Sequence, residues 1–258
     1  MIAGVTLLAL HGLPEVRQGD DLAALIAGSL NAMDVTLKPG DVISVAHKVV
    51  SKAEGRVRRL DDVKPSDEAL RYAQDLSKDA RKVQVVLDES IAVLRAFKHP
   101  QASEGTMICQ HHLGLISANA GVDESNTAEE GDLILLPQNP DRSAAELRSA
   151  LEDRFGGPLG VVITDTFGRP WRLGQVNVAI GVSGVPARKS DIGDTDARGQ
   201  VLRVTEPAFA DEIAAASGLV IGKAAKTPVV IFQGLAWQPD EAARASHLIR
   251  AQGEDMFR

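Results

Sequence analysis

The stretch V-V-I-T-D-T-F-G-R at residues 161–169 decides how this chain reads. Its β-branched apolar run has the composition of a buried strand. Asp165 and Thr166 follow directly at the end of that run. A carboxylate emerging from a hydrophobic segment is costly to bury unless something positive neutralises it. Carboxylate and hydroxyl oxygens are hard donors that suit Mg2+ or Mn2+ and not zinc. Arg169 and Arg172 come soon after and offer forked partners for phosphate or carboxylate. The plainer alternative is an Asp–Arg ion pair that closes a loop.

A second acidic position lies upstream in S-A-N-A-G-V-D-E-S-N, residues 117–126. There Asp123 is a candidate ligand for a hard cation, and Asn126 a candidate hydrogen-bond partner for a base or phosphate. Such a segment can equally be a turn whose Asp or Asn caps a helix. A third segment, D-V-I-S-V-A-H-K-V-V-S-K at residues 41–52, reads as a strand running through to a basic end. Period-two geometry puts Lys48 and Lys52 on one face and His47 on the other. The lysines suit phosphate oxygens as flexible point charges, or simply a solvated face. No Walker-type phosphate loop occurs.

Working outward, residues 4–10 read as a strand, and Gly19-Asp20-Asp21 opens a helix. Residues 65–97 read as polar, then helical through A-L-R-Y-A-Q and I-A-V-L-R-A. Strands are expected at 106–109, 114–118, 132–136 and 160–165, with a helix at 143–154. A strand near V-N-V-A-I-G-V precedes a polar loop, 189–199, that carries Asp191, Asp194 and Asp196. A helix over about 207–217 and a strand in T-P-V-V-I-F-Q-G complete the chain. Without a regular βαβ rhythm the fold class is α+β.

The 258 residues can bury a large core, and 44% hydrophobic with 24% charged content is that of a globular protein. Aromatics at 3% and a net charge of −7 argue against nucleic acid as a partner. No apolar run is long enough to span a bilayer, and no signal segment is evident, so a cytoplasmic protein without a membrane partner is expected. Cys109 is the sole cysteine and reads as buried and structural. The histidines lack zinc-site spacing.

Taken in order, several stretches resemble the coenzyme F420-0:L-glutamate ligase family. They are G-L-P-E-V-R-Q-G-D-D-L, G-D-V-I-S-V-A-H-K-V-V-S-K-A-E-G, L-G-L-I-S-A-N-A-G-V-D-E-S-N, V-V-I-T-D-T-F-G-R-P-W-R-L-G-Q and A-D-E-I-A-A-A-S-G-L-V-I-G-K, within residues 12–234. The resemblance implies a two-part α+β unit over 1–258, dimerising by intertwining, without the nitroreductase-like extension of the fused type. It implies a GTP-dependent ligase that joins L-glutamate to the lactyl carboxylate of F420-0 through an acyl phosphate, with further γ-linked glutamates in some members. Mg2+ or Mn2+ is implied as cofactor, with K+ in some members. Residue by residue, Leu13, Pro14, Glu15 and Val16 match a nucleotide-contacting loop. Lys52 and Asn126 match nucleotide contacts, as do Gly222 and Lys223 in a late loop. Asp123, Asp165 and Thr166 match the metal site. His47 stands where the family often has a small hydroxyl residue that contacts nucleotide. Lys48, Arg169 and Arg172 remain candidate substrate or phosphate contacts. From the residues alone, a metal-dependent phosphohydrolase and a nucleotide or cofactor carrier are the competing readings.

Overall fold

The computed structural model describes residues 4–127, 129–222 and 226–255. Its larger sheet has the order β1 (Thr6–Ala9), β10 (Val229–Gln233), β2 (Val42–Ala46), β8 (Gly160–Arg169), β9 (Arg172–Ser183). Only β2 and β8 run parallel, and the other three pairings are antiparallel. The fold is therefore α+β, as expected.

The central strands are buried on both faces. Ile43, Val45, Val161, Ile163 and Ile231 pack with Ile26 and Leu30 of α1 (Leu22–Ala32) and with Leu147 and Leu151 of α5 (Pro140–Phe155). Val42, Val162, Val230 and Phe232 pack against Ile213 and Ala214 of α6 (Phe209–Ser217) on the opposite side. Two covered faces explain why V-V-I runs on without polar alternation. Both helix starts are capped: Asp21, as expected, accepts from Ala24 N at 2.9 Å, and the helix expected over 143–154 begins earlier, at Pro140, where Asn139 accepts from Arg142 N at 3.1 Å.

A smaller body holds α3 (Asp67–Leu76), α4 (Ala80–Asp88) and the antiparallel strands β4 (Ser90–Phe97), β5 (Thr106–His111) and β6 (Ile116–Ala118). Leu76, Val83, Val86, Met107 and Cys109 form its core. Burial pushes the Cys109 thiol up, as expected of a structural cysteine. A two-stranded ribbon, β3 (Val57–Arg59) with β7 (Asp132–Ile134), packs on α4 through Leu133 and Val85. Among the described residues, no helix is long and apolar enough to cross a membrane.

Two expectations are corrected. The strand read through residue 52 ends at Ala46, and His47–Ala53 form a helix, α2. The ladder to β8 stops at Ala46 opposite Thr164, and on its other side β10 begins at Val229 opposite Val45, so the pairing with both neighbours ends there although β8 itself runs on. His47, Val50 and Ser51 then turn inward at helical spacing. Second, I-A-V-L-R-A is not helical. It lies in β4, where pairing with β5 outweighs its helix-compatible spacing. The β-branched V-Q-V-V ahead of it is helical instead, because Val83 and Val86 face one core cluster and Val85 another.

β9 is a sheet edge, and carboxylates cover its outward N–H groups. Asp211 accepts from Ala179 N at 2.8 Å and Asp141 from Val182 N at 2.9 Å. Between them lies Gly181, where an added Cβ would sit 2.5 Å from the Pro140 carbonyl group at the start of α5. Backbone cannot give way as a flexible side chain can. Gly181→Ala should therefore cost at least about 1–3 kcal/mol in urea denaturation. Gly168→Ala, with nothing within 4 Å of its added Cβ, should leave the midpoint nearly unchanged.

Candidate functional site

The parallel register of β2 and β8 builds the site. Ala46 lies opposite Thr164, so the next residues, His47 and Asp165, emerge side by side where the parallel ladder of β2 and β8 ends. That is where open sheets containing parallel strands commonly present ligands. His47 Nε2 lies 3.3 Å from Asp165 Oδ1, with side chains 2% and 11% exposed. The approach is poorly aligned, so this is a proximity contact and not a hydrogen bond. The other ring nitrogen, Nδ1, is 3.3 Å from Ser51 Oγ. His47 thus faces Asp165 and Ser51 from a buried position. Asp165 Oδ1 accepts from Thr166 N at 2.7 Å.

The following residue on α2 reaches the other acidic position. Lys48 Nζ lies 2.7 Å from Asp123 Oδ2 and donates to Ser125 Oγ at 2.5 Å. Asp123 Oδ1 accepts from Ser125 N at 2.6 Å, a turn that locks the carboxylate toward Lys48. The Asp123 backbone is itself held by reciprocal bonds to Ile134, 3.0 and 2.8 Å. Burial pushes the Asp123 carboxyl up, but the Lys48 and Ser125 hydrogen bonds and the lysine charge outweigh it. The net result is a pKa below the usual carboxylate range. Consecutive residues of one helix therefore engage both acidic positions singled out in the sequence.

One turn further along α2, Lys52 pairs with Glu15. Glu15, Val16 and Lys52 line a cavity of about 320 Å3 with Val57, Thr127, Asp132 and Ile134. The pairing of Asp123 with Ile134 ties this cavity to the acidic positions. Leu13 packs against the main core, and Pro14 is exposed. Asn126 is exposed in a left-handed turn at φ 61°. Gly222 is exposed, and Lys223 lies outside the described residues.

Arg169 and Arg172 are placed differently from a short loop closing on Asp165. β8 continues through Arg169, which lies opposite Arg172 at the hairpin tip. That is roughly 13 Å along the strand from Asp165. Arg169 Nη2 donates to Leu173 O at 3.2 Å and closes the tip. The acidic loop also folds on itself, with Asp196 Oδ1 accepting from Arg198 N and Gln200 N, both at 2.8 Å.

Among the described residues, no three His, Cys, Asp or Glu side chains converge as a metal cluster. The hard-oxygen set available is smaller and spans both faces of β8: the Asp123 and Asp165 carboxylates toward α2, and the Thr166 hydroxyl toward α6. Its chemistry fits Mg2+ or Mn2+. Thr166 Oγ1 donates to Asn177 Oδ1 at 2.9 Å, which leaves its lone pairs for such an ion. Ser125 and Asn177 were not singled out in the sequence. The D-E-S spacing carried a local turn signal for Ser125, but nothing near Asn177 announced its partner.

The family model described as F420-0:Gamma-glutamyl ligase matches residues 12–234. The chain belongs to this family. A coenzyme F420:L-glutamate ligase of Methanopyrus kandleri is 43% identical over all of both chains. Those of Methanothermobacter thermautotrophicus and Archaeoglobus fulgidus are 39% and 41% identical. They align over 99% of both chains and over 98% of this chain with 96% of the relative, respectively.

The Lys48–Asp123 pair yields a pH-dependent expectation. A depressed carboxylate pKa contributes stability that is present at neutral pH and lost as pH falls through its folded value. In Lys48→Met the burial of Asp123 is no longer opposed by the ammonium, so its pKa rises. Partial exposure limits the cost at pH 7 to about 1 kcal/mol or less. In urea denaturation the gap from wild type should narrow as pH falls through the variant's raised carboxyl pKa. A gap that stays constant on acidification would show that the ion pair is not its source.

Proposed function

We propose that this protein is a GTP-dependent ligase that adds L-glutamate to the lactyl carboxylate of coenzyme F420-0. One observation carries the reading: α2 brings Lys48 to Asp123 and His47 to Asp165, with Lys52 on the same helix lining the adjoining cavity. Family membership and the activity for which the relatives are named point to coenzyme F420 and L-glutamate as the molecules joined.

Forming an amide from a carboxylate requires its oxygen to be made a leaving group. The acceptor carboxylate attacks the γ-phosphorus of GTP, the bond to the β-phosphate oxygen breaks, and GDP departs. The glutamate amine then attacks the acyl phosphate carbon. Phosphate leaves, the nitrogen loses its proton, and an amide remains. The protein's part in such phosphoryl transfer is mainly positioning and charge neutralisation. Lys48 and Lys52 exchange their carboxylate partners for phosphate oxygens, and Glu15, Val16 and Lys52 line the nucleotide cavity. Asp123, Asp165 and Thr166 are the residues to hold Mg2+ or Mn2+, which neutralises phosphate charge when bound.

The direct test is mass spectrometry of F420-0 incubated with GTP, L-glutamate and Mn2+. Wild type should add glutamyl mass units, and Asp165→Ala should add none while keeping its fold by circular dichroism. GTP hydrolysis without mass gain would replace the ligase reading with a phosphohydrolase. Full activity in Asp165→Ala would remove the metal assignment.

We also propose that the chain functions as an intertwined homodimer. The β8–β9 hairpin supports this, since it extends beyond the core with Trp171 84% and Leu173 99% exposed. Sedimentation at low micromolar concentration should give a species near twice 27.4 kDa. Its unfolding midpoint should rise with protein concentration. A monomer with a concentration-independent midpoint would overturn the dimer and leave the chemistry standing.

A further inference from the structure

The geometry points to Asn177 as a positioning residue that presets the Thr166 hydroxyl as a cation ligand. This rests on the reading of Thr166 as part of the metal site. The reasoning starts from Ser217, which is fully buried at the end of α6. Its Oγ lies 2.6 Å from Ala214 O. A carbonyl has no proton to give, so the single hydroxyl proton of Ser217 goes to Ala214. Ser217 Oγ is then an acceptor toward Asn177, 3.4 Å away, and the atom facing it must be the amide nitrogen.

That direction settles the orientation of the whole amide. With Nδ2 toward Ser217, Oδ1 faces Thr166 Oγ1 at 2.9 Å. An amide oxygen has no hydrogen, so Thr166 must donate. Its proton points at Asn177, and its lone pairs point elsewhere. A hydroxyl ligates a hard cation only through those lone pairs. With the amide reversed, Thr166 would accept from Nδ2 and its own proton would be free to face the ion.

The placement of Asn177 follows from the fold. It is the cross-strand partner of Thr166 in the β8–β9 ladder. On its other side it is wedged under α6, where a Cβ added at Gly218 would lie 3.4 Å from Nδ2. The chain Ala214–Ser217–Asn177–Thr166 thus carries one fixed hydrogen-bond direction from a helix carbonyl to the candidate ligand. Asn177 acts through Thr166. Outer partners of this kind commonly tune metal affinity by about 10–100-fold.

The test measures Mn2+ affinity by electron paramagnetic resonance with saturating GDP, independently of turnover. Wild type is compared with Thr166→Val, Asn177→Ala, Ser217→Ala and the Asn177→Ala/Thr166→Val double variant. Thr166→Val and Asn177→Ala should each weaken Mn2+ by about 10-fold or more. Ser217→Ala keeps Asn177 Oδ1 as the acceptor for Thr166 but removes the hydroxyl that fixes the amide, so it should give a smaller loss. The double variant should bind no worse than Thr166→Val alone, since Asn177 then has no hydroxyl to orient. A general packing defect would instead add to the Thr166→Val loss, and such additivity would overturn the proposal. Wild-type affinity in Asn177→Ala would overturn it too. If Thr166→Val binds Mn2+ normally while Asp165→Ala does not, Thr166 is not a ligand and the inference falls, with the metal-dependent ligase intact. If wild type binds no Mn2+ with GDP, both fall together.

Discussion

The site depends on the parallel pairing of β2 with β8. Parallel strands run in the same direction, so the residues that follow the end of their shared ladder meet at a single edge. Here the pairing sets His47 beside Asp165 and starts α2 at that edge. The helix then carries Lys48 to Asp123, and Lys52 to the cavity. A one-residue slip would turn every side chain of β8 to the opposite face. The continuous apolar runs, packed against α1 and α5 on one side and α6 on the other, oppose such a slip.

The electrostatics follow from this frame. Each acidic position meets a nitrogen-bearing partner on α2, but the two contacts differ. Asp123 is ion-paired and held low by an ammonium, whereas Asp165 faces a buried imidazole that forms no aligned hydrogen bond with it. A lysine pair can be exchanged when a ligand arrives, because the ammonium is a flexible point charge. The buried ring cannot move so freely. Thr166 adds a neutral donor whose orientation is set by Asn177 and, through it, by the end of α6. The neighbouring β9 edge is covered by carboxylates of α5 and α6, which ties both helices to the hairpin.

Residue types and short spacings made much of this legible in the sequence. V-V-I at 161–163 is uninterrupted because both faces of the strand are covered, and that composition is local information. The hard-donor character of Asp165 and Thr166 is likewise intrinsic. Lys48 and Lys52 stand four apart, a spacing that puts them on one side of either a strand or a helix. Their shared side was therefore readable even though the segment proved to be α2 and not a strand.

What the sequence by itself determined is the α+β class, the apolar strands and the residue types able to meet phosphate and a hard cation. Only tertiary structure decided that Lys48 meets Asp123 and Lys52 meets Glu15. It also decided that β4 pairs with β5, and that Arg169 closes a distant hairpin tip. These outcomes hang on where a partner strand stops or which helix packs nearby. Pairing energy between segments far apart in the chain overrides local propensity, and no local pattern encodes it. Asn177 is the clearest case: its side chain is ordinary in sequence, and its orientation comes from a hydroxyl forty residues later, bonded back to its own helix.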